Sequence, residues 1–276
     1  MPDVSRTPEE ILLADSVNYL GPEARGAVVV ASSHGGIYAA YKAAASGARA
    51  VILNDAGVGR EAAGIACLSY CERLGMAAAV VSHTSARIGE ATDMLHRGVI
   101  SHANALARVV GCVTGTACAQ AAIRLKAAPL PSGKPPAYEE TRFIISENSG
   151  RPRVVCIDSA SLVKAEDAGQ IVITGSHGGL IGGRRVKAFN VDALVAIFND
   201  AGVGIDQAGI GRLGPLDERA IAAATVAHTS ARIGDARSTY HEGIISHANQ
   251  RAVILGALCG MSVRDFVERV LRRFGS

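Results

Sequence analysis

Tryptophan is absent from this chain and aromatic residues make up only 4% of it, so a nucleic-acid surface built on stacked rings is not available. No stretch approaches the roughly 20 apolar residues of a membrane-spanning helix. The amino-terminal Met-Pro-Asp-Val-Ser-Arg-Thr-Pro-Glu-Glu also lacks the charged segment and apolar run of a secretory signal. Charge is sparse: 19% of residues are charged and the net charge is +3, with the basic residues scattered rather than gathered into a stripe. Nucleic acid and membrane are therefore not expected as partners. Cys67, Cys71, Cys112, Cys118, Cys156 and Cys259 recur in no metal-type pair and read as reduced thiols of a cytoplasmic protein.

What is present is a repeat. Val81-Ser-His-Thr-Ser-Ala-Arg-Ile-Gly-Glu90 returns as Val226-Ala-His-Thr-Ser-Ala-Arg-Ile-Gly-Asp235, a displacement of 145 residues that carries His83 onto His228 and Arg87 onto Arg232. Three further words recur in nearly the same register. Ser33-His-Gly-Gly36 pairs with Ser176-His-Gly-Gly179, and Asn54-Asp-Ala-Gly-Val-Gly59 with Asn199-Asp-Ala-Gly-Val-Gly204. His96-Arg-Gly-Val-Ile-Ser-His-Ala-Asn104 pairs with His241-Glu-Gly-Ile-Ile-Ser-His-Ala-Asn249. All eight histidines fall inside these words, whereas the intervening helix-like segments diverge freely.

The fold class this predicts is α/β, with two internally repeated Rossmann-like parallel-sheet units related by a pseudo-twofold axis. Residues 1–127 form the first repeat, 128–153 a proline-rich linker and hairpin, and 154–276 the second repeat. Gly26 to Ser33 and Gly169 to Ser176 have the continuous apolar character of strands buried on both faces. Strands are also expected at Ile11 to Asp15, Arg49 to Asn54 and Ala77 to Ser82, with counterparts at Val154 to Asp158, Ala193 to Asn199 and Ile221 to Ala227. Helices are expected at 37–46 and 180–188, and at 60–74 and 205–213. Ser101 and Ser246 are read as caps of helices starting at His102 and His247, with Gly111 and Gly256 as their stops. Thr141 to Ser146 and Arg153 to Asp158 read as a hairpin turned by Asn-Ser-Gly.

In a parallel sheet the loops after the strands emerge on one edge, so His34, Asp55 and His83 start near one another and can converge on a ligand. The expected catalytic set is His34, His177, Asp55, Asp200, His83 and His228. Asp55 orients His34 or His83 as general base, and its structural alternative is capping the next helix. Gly35, Gly36, Gly178 and Gly179 can turn their N–H groups towards an oxyanion, flanked by Ser33 and Ser176. Asn54 and Asn199, the hydroxyls of Thr84, Ser85, Thr229 and Ser230, and the imidazoles of His102 and His247 complete the expected binding set. Arg87 and Arg232 are read as forks for a carboxylate or phosphate, and the alternative is internal pairing with Glu90 and Asp235.

The His-Gly-Gly words resemble the oxyanion segment of esterases and the His-Gly-Gly of creatininase-type amidohydrolases. The Gly-x-Ser-x-Gly elbow of the former and the Glu and His ligand spacing of the latter are absent, so no residue role is carried over. No Walker or dinucleotide fingerprint follows either glycine turn.

The reading is an enzyme, a hydrolase of an amide-type or ester-type bond in a small polar anionic metabolite. No cofactor is expected, with a divalent metal on His34, Asp55, His83 and His102 as the alternative. The competing classes are an isomerase or racemase of a small carboxylate, a metal-dependent amidohydrolase, and a non-catalytic binding or sensor protein. A homo-oligomer is compatible with all of them. His34 and His177 are expected to border one composite cleft, because each sheet edge alone is shallow.

Overall fold

The run Val28-Val-Val-Ala-Ser-Ser-His34 is buried along almost its whole length, as befits a central strand covered on both faces. The structure, a computed structural model, describes residues 4–146 and 150–274. In the first half, β1 (Val4–Arg6) and β2 (Ile11–Ala14) precede β3 (Val28–His34) and α1 (Ile37–Ala45). Then come β4 (Ala50–Asn54), α2 (Cys67–Arg73), β5 (Ala77–Val81), α3 (Ala91–Arg97), β6 (Ile100–Ala103), α4 (Ala105–Val109) and α5 (Cys118–Leu125). The six strands pair in chain order, with β2 to β5 parallel and β1 and β6 antiparallel at the edges.

Strand alternation divides the apolar residues between two cores. Leu12, Val29, Val51, Leu53 and Val80 pack with α1 and α2. Ile11, Leu13, Val28, Val30, Ile52 and Val81 pack with α3 and α5 on the opposite face.

The second half contains β7 (Arg142–Ser146), β8 (Val154–Ile157), β9 (Ile171–His177), β10 (Val195–Asn199), α6 (Leu213–Glu218) and β11 (Ala222–Val226). It closes with α7 (Ala236–Glu242), β12 (Ile245–Ala248), α8 (Gln250–Ile254) and α9 (Val263–Arg272). Here too the strands pair in chain order, with β8 to β11 parallel and β7 and β12 antiparallel at the edges. The described residues thus form two six-stranded, mostly parallel sheets. No helix among them is long and apolar enough to cross a membrane.

Several local expectations are corrected. Ser101 and His102 lie within β6, and the caps are the next asparagines: Asn104 accepts from Ala107 N–H and Asn249 from Ala252 N–H. An asparagine Oδ1 can take that N–H while its amide group ties the turn to neighbouring carbonyls. Residues 180–188 form two 3-10 turns, Ile181–Gly183 and Arg185–Lys187, because Gly182 and Gly183 sit at φ of 61° and 65°, outside the helical region. The helix expected at 60–74 is a 3-10 segment, Arg60–Ile65, broken internally by Glu61 and Ala62 at φ of 53° and 55°, followed by α2. Its counterpart is Ile205–Ile210 followed by α6. The hairpin forms between β7 and β8, so β7 belongs to the second sheet, and the Asn-Ser of its turn lies outside the described residues.

The carboxyl edges of the two sheets meet. Ala56, Ile88, Ala201 and Ile233 form a small core shared by both halves. Gly57 and Gly202, at φ of 77° and 76°, pass close enough that a Cβ on Gly57 would lie 2.9 Å from the Gly202 Cα and 2.7 Å from Cδ2 of His228. The reciprocal approach sets Gly202 against His83. Backbone hydrogen bonds seal the joint, from Arg60 N–H to His228 O at 2.8 Å and from Ile205 N–H to His83 O at 2.9 Å.

Replacing Gly57 with alanine combines left-handed strain with this clash and is expected to destabilise the fold by roughly 2–4 kcal/mol in urea unfolding. Gly169, at φ of 70° with nothing within 4 Å of an added Cβ, is the control, and its alanine variant is expected to lose only about 1 kcal/mol. Equal losses would show that the joint is not tightly packed.

Candidate functional site

His34 ends β3 and His177 ends β9, and both border one cavity of about 250 Å³ between the halves. Ser33, Ser176, Tyr38, Glu140, Asn190 and Arg212 also line it. Each imidazole is turned by its own glycine loop, since Nδ1 of His34 accepts from Gly36 N–H at 3.2 Å and Nδ1 of His177 from Gly179 N–H at 3.1 Å. A neutral ring accepting at Nδ1 carries its proton on Nε2, so both rings are hydrogen-bond donors at that atom. Burial keeps them neutral. It lowers His34 to about 4, and it lowers His177 well below the ordinary value, with Arg212 and His34 adding to the effect.

This geometry corrects the oxyanion role of the glycines. Gly35 N–H donates to Asn54 O at 2.7 Å and Gly178 N–H to Asn199 O at 2.8 Å, while Gly36 and Gly179 serve the imidazoles. All four N–H groups are spent within the protein. Asn54 and Asn199 are likewise fully buried and employed: their Oδ1 atoms each accept at 2.9 Å from Ala56 and Ala201 N–H, and their Nδ2 groups donate to Ala86 O and Ala231 O. They staple the turns rather than face a ligand. Ser33 Oγ accepts from Val17 N–H and Ser176 Oγ from Ala160 N–H, both at the cavity wall.

Of the two histidines weighed as partners of Asp55, His83 takes the place. Its Nδ1 donates to Asp55 Oδ1 at 2.9 Å, its backbone N–H donates to the same oxygen, and Ser101 Oγ donates to Oδ2 at 2.8 Å. Burial pushes the Asp55 carboxyl up, but the hydrogen bonds from His83 and Ser101 outweigh it and hold it below the ordinary value. Asp200 and His228 repeat the arrangement at 3.0 Å. In both pairs the carboxylate can only accept, so Nδ1 is protonated, and in the neutral ring the lone pair is then on Nε2. His102 and His247 each have Nδ1 3.2 Å from the neighbouring serine hydroxyl. Ser85 and Ser230 cap the same loops by donating to Ser82 O and Ala227 O, and Thr84 and Thr229 are exposed.

Arg87 and Arg232 are surrounded by carboxylates. Arg87 meets Asp93 at 2.9 Å, Glu90 at 3.6 Å and, from the other half, Asp206 at 3.6 Å. Arg232 meets Asp235 and Glu61 of the other half, each at 3.1 Å, and Glu242 at 3.6 Å. Internal pairing accounts for both without a bound anion. Among the described residues no group of three or more His, Cys, Asp or Glu side chains is positioned to hold a metal ion, His34, Asp55, His83 and His102 included.

Two cavity residues carry no signal in the repeated words. Glu140 comes from the proline-rich linker, where burial first and then Asp158 push its carboxyl up to about 7, against hydrogen bonds from Tyr38 and Ser159. Arg212 stands one residue before α6 and is 5% exposed; Nε donates to Gly179 O at 2.8 Å and Nη1 to Ala188 O at 2.6 Å. Its guanidinium also lies 5.1 Å from the centre of the Phe198 ring. The one clue was asymmetry: the 145-residue register puts Cys67 opposite Arg212, a thiol against a cation. Comparison with protein-family models, with curated proteins and with solved structures finds no match for the chain.

A histidine whose folded value is about 4 opposes folding once the unfolded chain binds its proton, so stability should fall as pH drops from about 6.5 towards 4. Glu140, raised to about 7, acts in the opposite sense between pH 7 and 4.5, which makes a variant comparison necessary. Urea unfolding at pH 7 and pH 4.5 should show the His34→Gln variant losing roughly 2–3 kcal/mol less than the parent over that interval. An unchanged pH dependence would mean that the imidazole is not held neutral.

Proposed function

We propose that the chain is an enzyme acting on a small polar anionic metabolite in the cavity between its halves, by proton transfer at a carbon next to a carbonyl. The observation that carries this is the pair of neutral imidazoles lining the cavity, each accepting at Nδ1 and so carrying its proton on Nε2. Such rings are poor bases at Nε2 but polarise a carbonyl oxygen, and they stabilise the enolate that forms when the adjacent carbon loses its proton. Glu140, with its carboxyl near 7, is suited to take that proton and return it. Tyr38, hydrogen-bonded to Glu140, positions the carboxyl.

Hydrolysis of an amide or ester at the same place has two protons to manage, one from water and one for the leaving group. An imidazolium that appears only below about pH 4 does not supply the second at neutral pH. That argument favours the isomerase or racemase class over the hydrolase expected from sequence. The hydrolytic reading keeps one specific support: the Asp55–His83 and Asp200–His228 pairs leave Nε2 as a free base, the arrangement that activates water.

We also read the halves as repeats related by a pseudo-twofold axis passing near Gly57 and Gly202. Support comes from the common strand order and the reciprocal contacts of His83 with Gly202 and His228 with Gly57. In that reading His34 and His177 belong to one site and not to two.

Incubation in D2O with a panel of small 2-oxo and 2-hydroxy carboxylates, followed by proton NMR, should reveal exchange at the carbon next to the carbonyl. Glu140→Gln should abolish that exchange while His83→Asn leaves it within a few-fold of the parent. Hydrolytic release without exchange, lost in His83→Asn, would shift the assignment to the Asp–His pairs. For the composite site, His34→Ala and His177→Ala should each lower the exchange rate by roughly 10²–10³, with the double variant little worse than either single one. Half the activity remaining in each single variant would indicate two separate sites.

A further inference from the structure

Arg212 is a buried cation with no carboxylate partner among the described residues. Buried guanidinium groups ordinarily sit on carboxylates, and even the half-buried Arg142 does so on Asp167 at 2.7 Å. Around Arg212 are instead the Tyr19 phenol, the face of Phe198 and the carbonyls of Gly179 and Ala188. The two carbonyls engage Nε and Nη1. Nη2 has no hydrogen-bond partner among the described residues, and the side chain lines the cavity. Removing a cation from water without a counter-charge costs several kcal/mol, of the order found for unpaired buried ions.

We infer that the cavity takes a small monocarboxylate whose carboxylate sits on Arg212, so that the ligand enters in one orientation only. This deepens the function proposed above and rests on the cavity being the site. Among the described residues lining the cavity, Arg212 is the only Arg or Lys while Asp158 and Glu140 are acids, so the lining has no second cation to set against the extra charge of a phosphate dianion. The orientation follows from the broken repeat. Cys67, a fully buried thiol, occupies the register position of Arg212 in the first half, so only one end of the cavity has a cation for the anion. The carboxylate is held beside His177, and the rest of the ligand extends towards the His34 and Glu140 side. The carbonyl oxygens that Arg212 already holds keep its guanidinium in place before the ligand arrives, which lowers the ordering cost of binding.

Glycolate and its neutral counterpart glycolamide are suitable probes, because they share size and hydroxyl and differ in charge. Equilibrium binding to the intact protein should favour glycolate by ~10-fold or more, the worth of a charge-assisted hydrogen bond pair. Arg212→Met should bring the two affinities to within twofold of each other, and inorganic phosphate should bind the parent more weakly than glycolate. Equal affinities in the parent, or a preference that survives in Arg212→Met, would overturn the assignment. If the variant does not fold, a crystal structure of the parent with glycolate decides. A carboxylate within hydrogen-bond distance of Arg212 Nη2 supports the inference, and one bound elsewhere overturns it. Glu140→Gln separates the two proposals, since it should keep the preference for glycolate while losing proton exchange. Exchange that persists without any preference for the anion would sink this inference and leave the proposed reaction standing.

Discussion

The close approach of two glycine turns, one from each sheet, is the constraint on which the remaining geometry depends. Gly57 and Gly202 both need a left-handed backbone and both lack the room for a side chain, so the two sheet edges can press together. His83 and His228 then lie across the opposing glycine, and their carbonyls accept N–H groups from the other half. Arg87 and Arg232 extend the same joint outward through carboxylates of the opposite sheet. A cavity bordered by the ends of both β3 and β9 exists because this joint holds the two edges face to face.

Within that frame, hydrogen bonding at a single ring atom separates four of the repeated histidines into two chemical kinds. A backbone N–H directed at Nδ1 leaves His34 and His177 as neutral rings that accept there, whereas a carboxylate at Nδ1 makes His83 and His228 donors at that atom. The residue type is the same in both cases. The difference comes from the loop: a glycine two residues later supplies the N–H in one case, and an aspartate at the tip of the neighbouring strand supplies the carboxylate in the other.

The two sheets share a strand order and the two halves of the sequence share their words, which makes the departures informative. Arg212 faces the cavity where the first half has Cys67, and Glu140 arrives from a connection that belongs to neither set of repeated words. The cavity, which Asp158 also lines, thereby acquires one cationic region and one carboxyl raised to about 7. Both are features that a ligand with distinct ends can use.

Much of the fold was legible in the residues themselves. Continuous apolar runs such as Val28 to Ala31 mark strands covered on both faces, and glycine-bounded words mark the turns that follow them, because those signals are local. The aspartates and histidines of the site could be named for the same reason, and the pairing of Asp55 with His83 was among the options that strand order allowed. Which option held was a tertiary matter, since it depends on how neighbouring strand tips lie relative to one another. So was the spending of the Gly35, Gly36, Gly178 and Gly179 N–H groups, and the surrounding of Arg87 and Arg232 by acids from the other half. Glu140 and Arg212 had no motif to announce them: the first owes its raised carboxyl to burial, and the second owes its unpaired charge to what does not surround it. Burial and the absence of a partner are properties of packed surroundings, and no spacing along the chain encodes them.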